Sequence, residues 1–152
     1  LFDILGSAVE GARVLDVFAG TGALSAEALS RGASSAVLLE KGRDALRVLR
    51  RNLEGAGFGR DLWEVLPGDA LASLRRLRRG GRAFDLVFLD PPYASDLGEK
   101  ALMEAAGLLE GDGTAILEHA ARTAPPEVFP LEIVETRRFG DTAISLYQRR
   151  KA

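Results

Sequence analysis

The sequence predicts an α/β fold, a doubly wound, seven-stranded and mainly parallel sheet with one antiparallel strand, formed as a single domain over residues 1–152. Three observations predict it. Short aliphatic and β-branched runs alternate with runs of helical spacing along most of the chain, which is the pattern of strands buried on both faces by crossover helices. Glycine, proline or aspartate punctuates nearly every run, as helix ends and turns require. The residues that look chemical directly follow strands, and sheets of this kind bind ligands at the carboxyl ends of their strands.

Each element has its own signal. Phe2, Leu5 and Val9 recur at helical spacing, so Leu1–Val9 reads as the end of a helix. Arg13–Phe18 is apolar but too short for a helix, hence a buried strand. Gly20–Thr21–Gly22 turns the chain into a helix over Ala23–Arg31, closed by Gly32. Ala36–Glu40 is the second strand, and Asp44 to Leu53 a helix ended by Gly55 and Gly57. Leu62–Leu66 is the third strand, stopped by Pro67–Gly68. Asp69 caps the helix that carries Leu71, Leu74 and Leu77 and stops at Gly80–Gly81. Phe84–Leu89 is the strongest strand of the chain. A helix from Leu97 to Leu109, a turn at Gly111–Asp112–Gly113 and a fifth strand at Thr114–Glu118 follow. Leu131–Phe139 and Thr142–Gln148 meet at Gly140–Asp141, a tight turn that predicts an antiparallel pair.

Composition narrows the function. A chain of 152 residues, 47% hydrophobic with a net charge of −2, can bury about two-thirds of its unfolded surface and does not read as disordered. It has no cysteine, which excludes disulfides, thiolate metal sites and thiol nucleophiles and fits a reducing, cytoplasmic setting. No apolar run approaches the ~18–20 residues of a membrane helix. His119 is the only histidine, so no metal site is expected. Trp63 reads as packing on or near the third strand. Asp85 and Asp90 stand at opposite ends of one strand, about 17 Å apart, too far for a paired-carboxylate hydrolase. Seventeen of the twenty cations are Arg, many of them between Arg43 and Arg82, which fits either a nucleic-acid face or a coding bias.

Three clusters carry chemistry. Asp16–Val17–Phe18–Ala19–Gly20–Thr21–Gly22 joins a strand to a helix, and its glycines let backbone amides approach a ligand. Twenty-four residues after Asp16, Glu40 ends the next strand, where a carboxylate can accept from both hydroxyls of a ribose. Nicotinamide cofactors and S-adenosylmethionine both fit this pairing, although Ser25 stands where a dinucleotide fingerprint wants a third glycine. Asp69, followed by Ala70, ends the third strand and can cap a helix, accept from an adenine amine, or both. Asp90–Pro91–Pro92–Tyr93 is the most specific signal. Two prolines fix φ and remove two amide donors, leaving a carboxylate, outward carbonyls and an aromatic face that together suit a planar base bearing an amine.

A glycine loop followed by Asp-Pro-Pro-Tyr resembles the amino-methyltransferases. More closely, LFDIL, VLDVFAGTGALSAEALSRGA, the strand ending at Glu40, Gly68–Asp69–Ala70, FLDPPY and GDTAISLYQRR resemble the RsmD family of 16S rRNA guanine-N2 methyltransferases. That resemblance implies a Rossmann-like fold and S-adenosylmethionine as cofactor, with S-adenosylhomocysteine as product and no metal. It implies that Asp16, Gly20 and Gly22 hold the methionine part, Glu40 the ribose, and Asp69 and Ala70 the adenine, with Phe18 and Lys41 also among the cofactor-binding residues. Asp90, Pro91, Pro92 and Tyr93 would hold the target base, Asp90 also reaching the cofactor. The implied partner is 16S rRNA in the small ribosomal subunit or its assembly intermediate, met by a monomer away from any membrane. Family members usually carry a basic segment upstream, and this chain opens on Leu1, so the expectation is of a segment ahead of it. Adenine-N6 and protein-glutamine methylation, and a non-catalytic nucleotide-binding module, stay open as alternatives.

Overall fold

The computed structural model describes residues 1–92 and 96–151. Strands β1 (Arg13–Val17), β2 (Ser35–Glu40), β3 (Trp63–Pro67), β4 (Phe84–Leu89) and β5 (Leu109–Ala120) run parallel, while β7 (Thr142–Arg149) lies antiparallel between β5 and β6 (Leu131–Phe139). The sheet order is β3-β2-β1-β4-β5-β7-β6. The chain therefore winds outward from β1 to β3, then returns to β4 on the other side of β1. That reversal opens a crevice above the carboxyl ends of β1 and β4.

Alternation along the strands builds two cores. Leu15, Val17, Val87, Leu89 and Leu117 face α4 (Ala70–Arg79) and α5 (Leu97–Ala106), which contribute Leu74, Leu77, Ala101 and Leu102. Val14, Leu38, Leu86, Phe88 and Ile116 face the other layer, formed by α1 (Phe2–Leu5), α2 (Ala23–Ser30) and α3 (Arg43–Gly55) through Leu5, Ala28, Leu29, Leu49 and Leu53. Each fully buried Leu or Phe stabilises by about 1.5–3 kcal/mol. Trp63 is buried against β3 as expected, its indole N–H donating to the Phe58 carbonyl.

Three boundaries differ from expectation by more than two residues. Gly6, at φ 55, ends α1 after one turn, and Gly6–Val9 is a separate 3-10 turn. α5 stops at Ala106 instead of Leu109; its capping residue Gly107 lies so close to α4 that a Cβ there would sit 2.7 Å from Arg78 Cδ. β5 begins at Leu109, not Thr114, because Leu109 already pairs with Phe84 before the register jumps to Leu86–Thr114. Gly111–Asp112–Gly113 is thus an irregularity within a strand and not a turn before one. Asp85, at the opposite end of β4 from Asp90, accepts from the Arg13 amide and guanidinium, which hold its carboxyl below the usual range. No helix among the described residues is long and apolar enough to cross a membrane.

Phe88 is 1% exposed and meets the Phe2 ring at a centroid distance of 5.9 Å. Phe88→Ala is expected to lower the unfolding free energy by about 3–5 kcal/mol, a transfer loss plus a cavity, read from the urea midpoint at constant slope.

Candidate active site

β1 ends in a loop whose shape is set by backbone sign. Phe18, Gly20 and Gly22 have φ of 64, 57 and 80. At Gly22 a Cβ would also lie 3.3 Å from Leu49 Cγ, so this residue lets α2 start close against α3. Phe18 is not a glycine, and a bulky side chain in this region costs of order 1–3 kcal/mol. The surrounding contacts hold it there. The Ala19 amide donates to the Leu39 carbonyl at 2.9 Å, and the Gly20 amide donates to Glu40 Oε1 at 2.8 Å.

Glu40 does more than end β2. Its Oε2 accepts from the amides of Lys41 at 3.1 Å and Gly42 at 2.8 Å. One carboxylate therefore ties the loop after β1 to the loop after β2. A carboxylate offers about four acceptor positions, so at least one on Glu40 is open to a ligand.

Asp16 lies beneath this loop, 1% exposed. Ser25 Oγ donates to its Oδ2 at 2.6 Å, which gives a purpose to the residue that departs from the dinucleotide pattern. Burial pushes the Asp16 carboxyl up to about 7; the Ser25 hydrogen bonds oppose the rise, and the charges of Asp90 and Glu40 add to it. Such a group invites a cation.

A cavity of about 390 Å³ opens over the strand ends, within the size range of small-molecule sites. It is lined by Phe18, Glu40, Lys41, Asp69, Ala70, Asp90, Pro91 and Pro92 among the expected residues. Asp16, Gly20 and Gly22 are not on its wall. Asp69 combines two positions, lining the cavity while its Oδ2 caps α4 by accepting from the Ala72 amide at 2.9 Å. Tyr93 lies outside the described residues. Leu39, Gly68 and Leu97 complete the wall; Gly68 belongs to the Gly68–Asp69–Ala70 motif, whereas Leu39 and Leu97 were not picked out by motif. Behind Pro91, α5 comes so near that a Cβ on Gly98 would sit 2.9 Å from Pro91 Cγ.

Sequence reasoning also missed Glu118. The strand-end rule that found Glu40 and Asp90 applies equally to it, but the neighbouring His119 drew the attention. That histidine is a structural link, its Nε2 at 2.8 Å from Ser145 Oγ and its Nδ1 at 3.0 Å from the Ala120 carbonyl. Glu118 and Asp90 line a further cavity of about 200 Å³ with Leu24, Phe88, Ile116 and Ile144. Burial, then the hydrogen-bonded Asp90, pushes Glu118 up to about 7.

An unfolded Asp ionises near 3.8, whereas folded Asp16 ionises at about 7. Between these values the folded chain keeps a proton that the unfolded chain has lost, so stability falls as pH rises through the window. Asp16→Asn is expected to reduce that decline, Glu118 keeping its own share of it. Urea midpoints of both proteins across the window provide the measurement.

Comparisons with known proteins place the chain in a family. Residues 1–148 match the family described as conserved hypothetical protein 95. The ribosomal RNA small subunit methyltransferase D of Escherichia coli K12 is 33% identical over 98% of this chain and 74% of its own length. A conserved hypothetical protein of Streptococcus pyogenes superposes with a TM-score of 0.88 at 33% identity, covering 98% of this chain and 92% of that one. A hypothetical protein of Thermus thermophilus superposes at 0.82, also 33% identical, over 97% and 81%. At 13% identity, SMU.776 complexed with SAH shares the fold alone, with a TM-score of 0.77 over 95% of this chain and 48% of that one. The chain belongs to the family described as conserved hypothetical protein 95, the RsmD family of methyltransferase enzymes.

Proposed function

We propose that the chain transfers a methyl group from S-adenosylmethionine to the exocyclic N2 amine of a guanine in 16S rRNA of the small ribosomal subunit or its assembly intermediate. One observation carries the reading. The Glu40 clamp and the Asp90–Pro92 turn meet on the wall of a single cavity at the strand-order reversal, and a relative covering nearly the whole chain is named a small-subunit rRNA methyltransferase.

The residues present fit the cofactor. Asp16 is sealed beneath the loop and not on the cavity wall. It acts on the positive amino group of a methionine through the field it adds to those of Asp90 and Glu40 and not by direct contact. Glu40 keeps acceptor capacity for a ribose hydroxyl, with Lys41 beside it. Asp69 and Ala70 stand at the entrance to α4, where a carboxylate oxygen and an amide can meet an adenine edge. When bound, S-adenosylmethionine supplies a methyl group already activated by a positive sulfur. The work left to the chain is alignment, which is worth several kcal/mol in a two-reactant step.

Asp90 and the Pro91 carbonyl accept from the target amine and orient its lone pair toward the cofactor side of the cavity. Tyr93 stacks on the base. The prolines offer no amide donors that would compete for the base's acceptors. Acceptors aimed at the amine also favour the positive charge that develops on its nitrogen. Phosphate contacts come from Arg43, Arg50 and Arg51 at the start and along the outside of α3, where they line one broad groove. Arg75 and Arg78 are held by Glu104, and Arg47 by Asp44, so these three have partners already. RNA binding through such contacts weakens with salt in proportion to the phosphates neutralised. A monomer working in the cytoplasm completes the proposal.

Glu40→Ala is expected to weaken cofactor binding by at least about 1.5–3 kcal/mol, the range for a hydrogen bond to a charged group. Glu40→Gln, which keeps one acceptor oxygen, is expected to lose less. Calorimetry on both variants measures the difference, and equal affinity for wild type and Glu40→Ala removes Glu40 from the site. The substrate is decided by incubating the protein with labelled cofactor and small-subunit particles and digesting the RNA to nucleosides. Label in N2-methylguanosine is the expected result; label in N6-methyladenosine, or only in protein, overturns the guanine assignment.

A further inference from the structure

Three cavities adjoin one another at the strand ends; Asp90 and Glu118 each stand on two of them, and Pro91 and Pro92 lie between the two larger ones. Asp90 lines both the cavity of about 390 Å³ and the apolar cavity of about 200 Å³. Glu118 lines that second cavity and a third of about 370 Å³, with Asp96, Glu99 and His119 on its wall. Among the described residues, Asp90 alone is common to the first pair and Glu118 alone to the second pair.

The arrangement follows from register. Leu89 of β4 lies opposite Leu117 of β5, so the next residues, Asp90 and Glu118, lie side by side. Alternation turns both toward the face of Phe88 and Ile116. The two carboxyl groups are within hydrogen-bonding reach of each other, and two like charges so close hold one proton more tightly than either would alone. The other titratable side chains near Glu118 are Asp96 at the N-cap of α5, Glu99 of α5 and His119 of its own strand. No Lys or Arg among the described residues lines either cavity. The His119 ring is occupied by Ser145 and the Ala120 carbonyl.

Resting on the methyltransferase reading above, we propose that Glu118 is the proton acceptor of the reaction, taking from the Asp90 side the proton that the methylated amine sheds and releasing it into the outer cavity. The chemistry needs such a group. The amine lone pair forms the new N–C bond while the C–S bond breaks and leaves its electron pair on sulfur. Positive charge grows on the nitrogen as that bond forms, and in the same step one N–H bond gives up its proton and leaves its electron pair on nitrogen. Asp90, which accepts from that amine, adjoins Glu118, and the proton rests on the more basic of the pair. Below about pH 7 Glu118 is already protonated and cannot take another.

Single-turnover methyl transfer to small-subunit particles, followed between about pH 5.5 and 9, tests this. The wild-type rate is expected to rise through a limb near pH 7. Glu118→Gln is expected to be slower by about 10²-fold, to lose the limb, and to bind cofactor as wild type does. A Glu118→Gln protein with the wild-type rate and limb overturns the proposal. Carbon-13 titration of the Glu118 carboxyl in the ligand-free wild-type protein is a second reading, independent of activity and of any variant's folding. A midpoint near pH 7 that falls when Asp90 is replaced by Asn supports the pair, and a midpoint in the ordinary carboxylate range overturns it. A wild type that methylates a different amine with the same limb overturns the guanine assignment and supports the acceptor. A wild type that transfers no methyl group overturns the methyltransferase reading and this proposal with it.

Discussion

Three backbone amides converging on Glu40 are the constraint on which the rest of the site depends. They come from two loops that share no other side-chain tie of this kind among the described residues: Gly20 after β1, and Lys41 with Gly42 after β2. Hydrogen bonds to a charged acceptor are roughly twice as strong as neutral ones. A loop carrying Phe18, Gly20 and Gly22 at positive φ has little reason to keep its shape unaided. With the clamp in place, Phe18 stays on the cavity wall and Asp16 stays sealed beneath it. Glu40 thus has a structural duty before any ligand arrives.

The site is also an accumulation of acids. Asp16, Glu40, Asp90 and Glu118 come from four adjacent strands, β1, β2, β4 and β5. Asp16 and Glu118 are both pushed up to about 7, burial being the largest cause in each. Arginines sit elsewhere, on the outward faces of α3 and α4. This separation gives the protein an interior edge suited to positive or amine-bearing groups and an exterior suited to phosphates. Neither half would be useful for RNA modification without the other.

Much of this was legible in the residues because short apolar runs, turn residues and strand-end chemistry are local. Phe84–Leu89 and Leu131–Phe139 match expectation to the residue, since each is bounded by a turn or a proline signal. The failures have equally physical origins. Gly111–Asp112–Gly113 reads as a turn by composition, but the pairing of Leu109 with Phe84 takes precedence and absorbs it into β5. Gly107 caps α5 early at a place where Arg78, a residue distant in sequence, leaves no room for a Cβ. Glu118 gains its character from burial and then from Asp90 on the neighbouring strand, and Ser25 from Asp16. Such cross-element pairings become visible only once the sheet order is known.

The close seat of α5 on Pro91 has a mechanical consequence. Gly98 presses the start of that helix against the target-side turn, with no room for even a methyl group. Two turns further on, Glu104 grips Arg75 and Arg78 of α4, and the first residue ahead of α4 is Asp69, on the opposite bank of the same cavity. The two banks are therefore carried by the starts of two helices, α5 and α4, that pack against each other. A shift of α5 by a fraction of an ångström would narrow or widen the span between them, so the layer acts as a caliper that sets the distance across which the reacting partners must meet.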